Sequence, residues 1–214
     1  MGRVSDARAR LIAAAIELVW RHSYGMVGVD AICARAGVKK GSLYYFFRTK
    51  DDLVAAALDA HFEGRRPILD EIFAPEIPPL ERLQSYFDHV TERQLELRRT
   101  SGRVLGCFHA AVGSECIRDT PIVAAKVQEI LALYRGYLAR TLRDAIASGE
   151  LAPGEPVARA QTLFSYVEGV LGQARIHDDP AFLRDLGAGA WRLLGVRTPA
   201  ARRERRARGR AAVG

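Results

Sequence analysis

Residues 37–50 bring together the side-chain types that contact nucleic acids. Four of them are cations that can meet phosphates, and two are tyrosines that can donate to phosphate or stack on sugar and base edges. A glycine and a serine permit close approach to a groove wall, and we expect direct base contacts from Lys40, Ser42 and Tyr45. The residues predicted to contact DNA are Lys39, Lys40, Gly41, Ser42, Tyr44, Tyr45, Arg48 and Lys50.

The elements that would position these side chains are two short helices joined at a glycine. A first helix over residues 30–36 packs into the core through Ile32 and Ala36. Gly37 makes the turn, and Leu43 and Phe47 anchor a second helix. This arrangement is typical of a helix-turn-helix. Two alternatives stay open: a solvated basic face with no partner, and burial of Tyr45 or its neighbour in the core.

The charge is concentrated at the two ends of the chain. Residues 1–50 carry nine Lys/Arg and three Asp/Glu, a net charge of +6, and residues 196–214 carry seven Arg and one Glu, again +6. Since the whole chain has +7, the middle has 7 − 6 − 6 = −5. This polarity indicates that one end faces phosphate.

Composition limits the class of protein further. The chain has 214 residues, three cysteines and no apolar run near the ~20 residues that span a bilayer, so we expect a globular protein of the reducing cytoplasm. No nucleophile elbow, zinc-protease motif, phosphate-binding glycine loop or Cys-x-x-Cys pair is present, so we expect no enzyme, no metal and no cofactor. A helical enzyme using Cys107 and His109, or a nucleoid-binding protein, are the rival classes.

The pattern along the chain predicts an all-α fold of about nine helices. Thr49 and Asp52 have the spacing of a capping box, Thr120 precedes a proline at a helix start, and no run alternates as a strand would. We expect a helix-turn-helix domain over 1–50, a larger helical effector-binding and dimerisation domain over 51–195, and a basic, disordered tail over 196–214. The predicted helices cover residues 5–22, 30–36, 40–47, 49–64, 80–98, 106–117, 120–148, 156–176 and 180–194.

Aromatic and polar groups in the larger domain could line a pocket for a small, partly apolar ligand. For each of them, ordinary core packing is the alternative, and Cys107 could instead sense electrophiles or oxidants as a thiolate. The residues predicted to bind an effector are Phe62, Phe87, Cys107, Phe108, His109, Tyr134, Tyr137, Phe164 and Glu168.

Residues 8–58 resemble the DNA-binding domain of the TetR family of bacterial transcription regulators. The matching residues are Ile12, Ala13, Ala14, Ala15, Leu18, Val29, Ile32, Ala36, Gly37, Val38, Gly41, Ser42, Leu43, Tyr44, Tyr45, Phe47, Lys50 and Leu53. The resemblance implies a homodimer that binds a palindromic operator, and a helical C-terminal domain that holds a small-molecule effector. It implies repression as the usual outcome. Lys39 and Gly28 depart from the family, which usually has Ser or Thr there, and Phe46 stands where the family often has His.

Two wide apolar faces near the end of the chain suit a dimer interface between like surfaces. The resemblance likewise implies dimerisation through the last two long helices, and completion of the monomer core is the alternative. The residues predicted at this interface are Leu163, Val167, Val170, Leu171, Ala174, Leu183, Leu186 and Trp191.

Overall fold

The computed structural model describes residues 2–115 and 120–196, with side chains from residue 6 onward. The predicted tail beyond residue 196 and the segment around Cys116 lie outside the described residues. Within them the chain forms ten α-helices and one 3-10 helix, with no strand, which confirms the all-α prediction. None of these helices is long and apolar enough to cross a bilayer.

The helices follow one another through short connections. Their bounds are α1 Gly2–His22, α2 Val29–Ala36, α3 Lys40–Phe46, α4 Lys50–Glu63, α5 Arg66–Ile72, α6 Pro79–Ser101, α7 Phe108–Gly113, α8 Pro121–Ala147, α9 Pro156–His177, the 3-10 helix Pro180–Leu183 and α10 Leu186–Leu193.

Local sequence signals explain where the first helices begin and end. Gly37 ends α2 with φ of 61°, a left-handed conformation that glycine adopts without steric cost. At the start of α4, the Thr49 hydroxyl accepts the N–H of Asp52 and the Asp52 carboxylate accepts the N–H of Thr49, so the capping box is confirmed. The caps Gly28 of α2 and Lys39 of α3 supply no side-chain hydrogen bond.

Two elements differ from the sequence-based expectation. The pattern predicts no helix between residues 64 and 80, yet α5 forms there with Pro67 in its first turn, where the missing N–H costs no helical hydrogen bond. The single helix expected from residue 180 to 194 is divided into the 3-10 helix and α10. Asp179 caps the 3-10 helix by accepting the N–H of Ala181.

The chain forms two compact units, which are described separately. The first contains the described residues of Met1–Ile68 and Leu105–Leu133. In it α1 packs against α2, α3, α4 and α7, around the fully buried Leu11, Leu43 and Leu53. The Trp20 indole N–H donates to the carbonyl of Leu105 over 3.0 Å, which ties α1 to the segment before α7.

The second unit contains the described residues of Leu69–Val104 and Tyr134–Gly214, in which α10 and the 3-10 helix each pack on α6 and α9. Arg82 of this unit is charged, yet its side chain is only 5% exposed and therefore needs polar partners. The guanidinium donates over 2.6 Å to the Asp144 carboxylate and to the carbonyls of Pro75 and Ile77. A buried cation is tolerated only with such partners.

Candidate nucleic-acid interface and effector region

Helix α3 presents an exposed face on a buried anchor. Leu43 is fully buried and Phe47 nearly so, which fixes the helix against the first unit. On the outer side Tyr45 is 77% exposed and Tyr44 48% exposed. Gly41 is exposed too, with open space around the position that a Cβ would take. The anchored helix therefore offers the aromatic and small residues that close contact with a groove requires.

The four cationic side chains predicted to bind DNA differ in the partners that they already have. The exposed side chains of Lys39 and Arg48 make no hydrogen bond or ion pair with any other described residue. Lys40 instead forms an ion pair with Asp30, at 2.8 Å from Nζ to Oδ1. A cationic side chain without such a partner can bind a phosphate without losing an existing contact. Lys39 and Arg48 are therefore better placed than Lys40 to bind phosphate.

Lys50 is held by the loop between α1 and α2. Its ammonium donates to the carbonyl of Tyr24 over 2.5 Å and lies 3.9 Å from the centre of the Tyr24 ring. The Tyr24 hydroxyl in turn donates to the Asp51 carboxylate. Sequence reasoning missed Tyr24, since nothing local connects two residues 26 positions apart. A phosphate contact by Lys50 would therefore extend an existing network.

Every acid in the first fifty residues is neutralised by a neighbouring cation. These acids are Asp6, Glu17 and Asp30, and their partners are Arg10, Arg35 and Lys40. These pairs account for three of the nine cations, so this part of the chain keeps a net positive charge of +6. This is the distribution expected of a surface that approaches a polyanion.

Three of the predicted effector residues form a packed aromatic cluster in the first unit. Phe62, Phe108 and His109 are each 1% exposed, and the ring of His61 lies 5.1 Å from Phe108 and 5.0 Å from His109. Trp20 of α1 contacts the same cluster. Rings packed this tightly act as core here, the alternative that their sequence pattern left open.

His109 is the buried titratable group of this cluster. Burial lowers the pKa of its imidazole from about 6.5 to about 4, because the charged ring would lack the water that solvates it outside the protein, and the nearby Arg65 adds to the lowering. A hydrogen bond of 3.2 Å to the carbonyl of Leu58 opposes this effect only in part. The ring is therefore neutral at pH 7 and donates to Leu58.

Cys107 is half-buried at the start of α7, immediately before Phe108. No observation on the described residues favours its alternative role as a redox or electrophile sensor.

The other predicted effector residues lie in the second unit. Tyr134 stacks on Phe164, with ring centres 6.3 Å apart, and Glu168 is half-buried on the same helix as Phe164. Tyr137 stacks on Phe73 and donates its hydroxyl to the Asp70 carboxylate. The rings of Tyr134 and Tyr137 are thus packed on neighbouring aromatic side chains.

A surface cleft of about 360 Å³ lies between α6 and α10 in the same unit. Phe87 and Trp191 meet edge to face in its wall, and the indole N–H donates to Gln84 over 2.8 Å. Of the nine predicted effector residues, Phe87 alone lines this cleft. Its lining is Gln84, Phe87, Asp88, Thr91, Glu92, Leu183, Arg184, Gly187, Ala188 and Trp191.

The residues predicted at the dimer interface mostly fill the chain's own core. Seven of the eight are buried within the second unit, and Val170 is the partly exposed exception. Their contact surface is already covered, so a second copy could not reach them without unpacking the unit. The buried seven are Leu163, Val167, Leu171, Ala174, Leu183, Leu186 and Trp191. The exposed apolar residues of α9 are instead Val157 and Ile176.

No group of three or more His, Cys, Asp or Glu within residues 2–115 and 120–196 is arranged to hold a metal ion.

The anchored helix-turn-helix, the exposed face of α3 and the net positive charge of residues 1–50 are those of a helix-turn-helix DNA-binding protein. Residues 11–57 match the family "Bacterial regulatory proteins, tetR family", and residues 79–188 match "Tetracyclin repressor-like, C-terminal domain". The chain belongs to the TetR family of bacterial transcription regulators.

Individual relatives agree with this assignment along most of the chain. The transcriptional regulator AcuR of Cereibacter sphaeroides is 31% identical over 189 residues, which cover 86% of this chain and 84% of AcuR. A solved TetR regulatory protein from Rhodobacter sphaeroides is 30% identical, with a TM-score of 0.76 over 87% of this chain and 98% of that one. The Escherichia coli repressor NemR is 24% identical over 80% of this chain and 85% of its own length.

Proposed function

We propose that this regulator binds a palindromic operator as a homodimer and represses transcription until a small-molecule effector releases it. The observation that carries the proposal is α3, where Tyr44 and Tyr45 stand exposed above the buried anchors Leu43 and Phe47. The relatives NemR and KstR are both named transcriptional repressors, which supports the direction of regulation.

In this proposal residues 1–50 bind DNA, and residues 51–195 hold the effector and the dimer contact. Two copies would place their α3 helices in successive major grooves, roughly 34 Å apart. An effector that binds better to a form with a different spacing would lower DNA affinity by the difference in its two affinities.

For the effector site we propose the cleft between α6 and α10, because Phe87 and Trp191 give its wall an aromatic surface. The other predicted aromatic residues do not line this cleft. Trp191 in its wall gives a direct test, since ligand binding there changes indole fluorescence. The variant Gly187→Leu would fill the cleft, and Gly136→Leu on α8, outside the cleft lining, is the matched control. Effector candidates that release DNA from the native protein should fail with Gly187→Leu.

The DNA-binding proposal is tested by fluorescence anisotropy with the duplex upstream of the protein's own gene and a scrambled duplex. Both are titrated at about 100 and 200 mM salt, because non-specific binding weakens steeply over that range. Tyr45→Ala should weaken binding to the upstream duplex about 5- to 150-fold, the effect of losing about 1–3 kcal/mol of base discrimination. It should change scrambled-duplex binding far less.

Ile176→Ala is the matched control, because Ile176 is as exposed as Tyr45 but lies on α9 of the second unit. Light scattering of the saturated complex should give two chains per duplex. Equal affinity for the upstream and scrambled duplexes at both salt concentrations would contradict recognition of that operator, and a one-to-one complex would contradict the dimer.

A further inference from the structure

Asp30 lies in the first turn of α2 and contacts a lysine that is expected to bind DNA. The Lys40 ammonium is 2.8 Å from Oδ1 of Asp30 and 3.1 Å from Oδ2, so both carboxylate oxygens face the same cation. Lys40 is the first residue of α3. The ion pair therefore joins the two helices of the helix-turn-helix directly.

This ion pair contributes little to the stability of the fold. The Asp30 and Lys40 side chains are 81% and 52% exposed, and water and salt screen such a pair strongly. Gly28, not Asp30, is the N-cap residue of α2, so replacing Asp30 does not remove the N-cap. Replacement of Asp30 should thus leave a folded protein whose DNA binding can be measured.

The neighbouring lysine provides an internal comparison. Lys39 is exposed like Lys40, but it makes no ion pair with any described residue. A phosphate can approach Lys39 directly, whereas at Lys40 it must displace a carboxylate. The displaced carboxylate would then lie close to the phosphate without its counterion, which is repulsive.

We propose that Asp30 is a specificity-determining residue that restrains Lys40 from binding phosphate on non-operator DNA. On the operator, a base edge compensates for the disrupted pair, since a carboxylate can accept from a cytosine amino group and a lysine can donate to guanine. The inference rests on the DNA-binding function proposed above. Sequence reasoning missed Asp30 because it considered only the cations of this region.

The test uses Asp30→Asn, which keeps the shape and removes the charge. Binding is measured across a salt series on a duplex selected by the native protein from a random library, and on a scrambled duplex of the same composition. The scrambled duplex should bind Asp30→Asn about fivefold tighter, with a salt slope steeper by about 0.9 for one added phosphate contact. The selected duplex should change by less than about twofold, so the specificity ratio falls.

Two controls separate this mechanism from a general change in charge. Glu17→Gln removes one carboxylate from the ion pair with Arg35 in the same unit and should leave the specificity ratio unchanged. In a Lys40→Ala background, Asp30→Asn should lose its effect on the scrambled duplex, while in a Lys39→Ala background the effect should persist.

Three results would overturn the proposal. These are an equal gain on both duplexes matching that of Glu17→Gln, no gain on the scrambled duplex, or a gain that survives Lys40→Ala. If no preferred duplex can be selected, the proposed operator recognition fails. The scrambled-duplex measurements with and without Lys40 would then still decide whether Asp30 restrains that lysine.

Discussion

The buried His109 makes the stability of this protein depend on pH in a defined interval. Its pKa is lowered to about 4 in the folded chain and returns to about 6.5 on unfolding. Between these values the unfolded chain binds the additional proton, so the free energy of unfolding decreases as the pH falls. The contribution is fully present above pH 6.5 and is lost as the pH approaches 4. Each pKa unit corresponds to 1.36 kcal/mol, which gives roughly 3 kcal/mol in total.

Urea unfolding at fixed protein concentration, followed by far-UV circular dichroism at pH 7.5 and 5.5, measures this effect. Over that interval His109 should account for about 1.4 kcal/mol of lost stability. The imidazole of the unfolded chain changes there from mostly neutral to mostly protonated, while that of the folded chain stays neutral. His109→Gln should remove this part of the pH dependence, although the variant is less stable at both pH values. His22→Gln, a change at an exposed histidine of α1, is the matched control.

The test is whether the free energy of unfolding depends less steeply on pH in His109→Gln. An equal loss of stability at both pH values does not bear on it. If His109→Gln retains the full decrease between pH 7.5 and 5.5, the assignment is refuted and another group must take up the proton. His61, whose ring lies 5.0 Å from that of His109, is the neighbour to replace next.

Three further predictions concern stability and electrostatics. Arg82→Met should destabilise the protein by about 1–3 kcal/mol in urea unfolding, because it removes three hydrogen bonds of the guanidinium, whereas Arg99→Met at an exposed side chain should have little effect. Ser23 has φ of 84°, so Ser23→Gly should raise stability by about 0.5–1 kcal/mol, while Ser165→Gly inside α9 should lower it by about 0.5 kcal/mol. Lys39→Ser should add a cap to α3, raising stability by about 0.5–1 kcal/mol and reducing the salt slope of DNA binding by about 0.9. No increase in melting temperature for Ser23→Gly, or an unchanged salt slope for Lys39→Ser, would contradict these two predictions.

Features that depend on neighbouring residues were accessible from the sequence. The capping box of Thr49 and Asp52, the left-handed Gly37 and the buried pair Leu43 and Phe47 all follow from spacing over a few residues. The all-α fold and the TetR family follow from many such signals in one consistent order. Helix periodicity and caps are set by local backbone geometry, so they can be read without the tertiary structure.

The sequence by itself determined the fold class and the family, and it predicted which residues contact DNA. Only the tertiary structure decided that Tyr45 faces solvent, that Lys40 is paired with Asp30 and Lys50 with Tyr24, and that the apolar side of α9 is covered by its own unit. The reason is physical: an apolar stripe or a cation specifies what it needs, but many partners can satisfy it. Which partner does so depends on how distant segments pack, and for Lys50 that partner is 26 residues away in the chain.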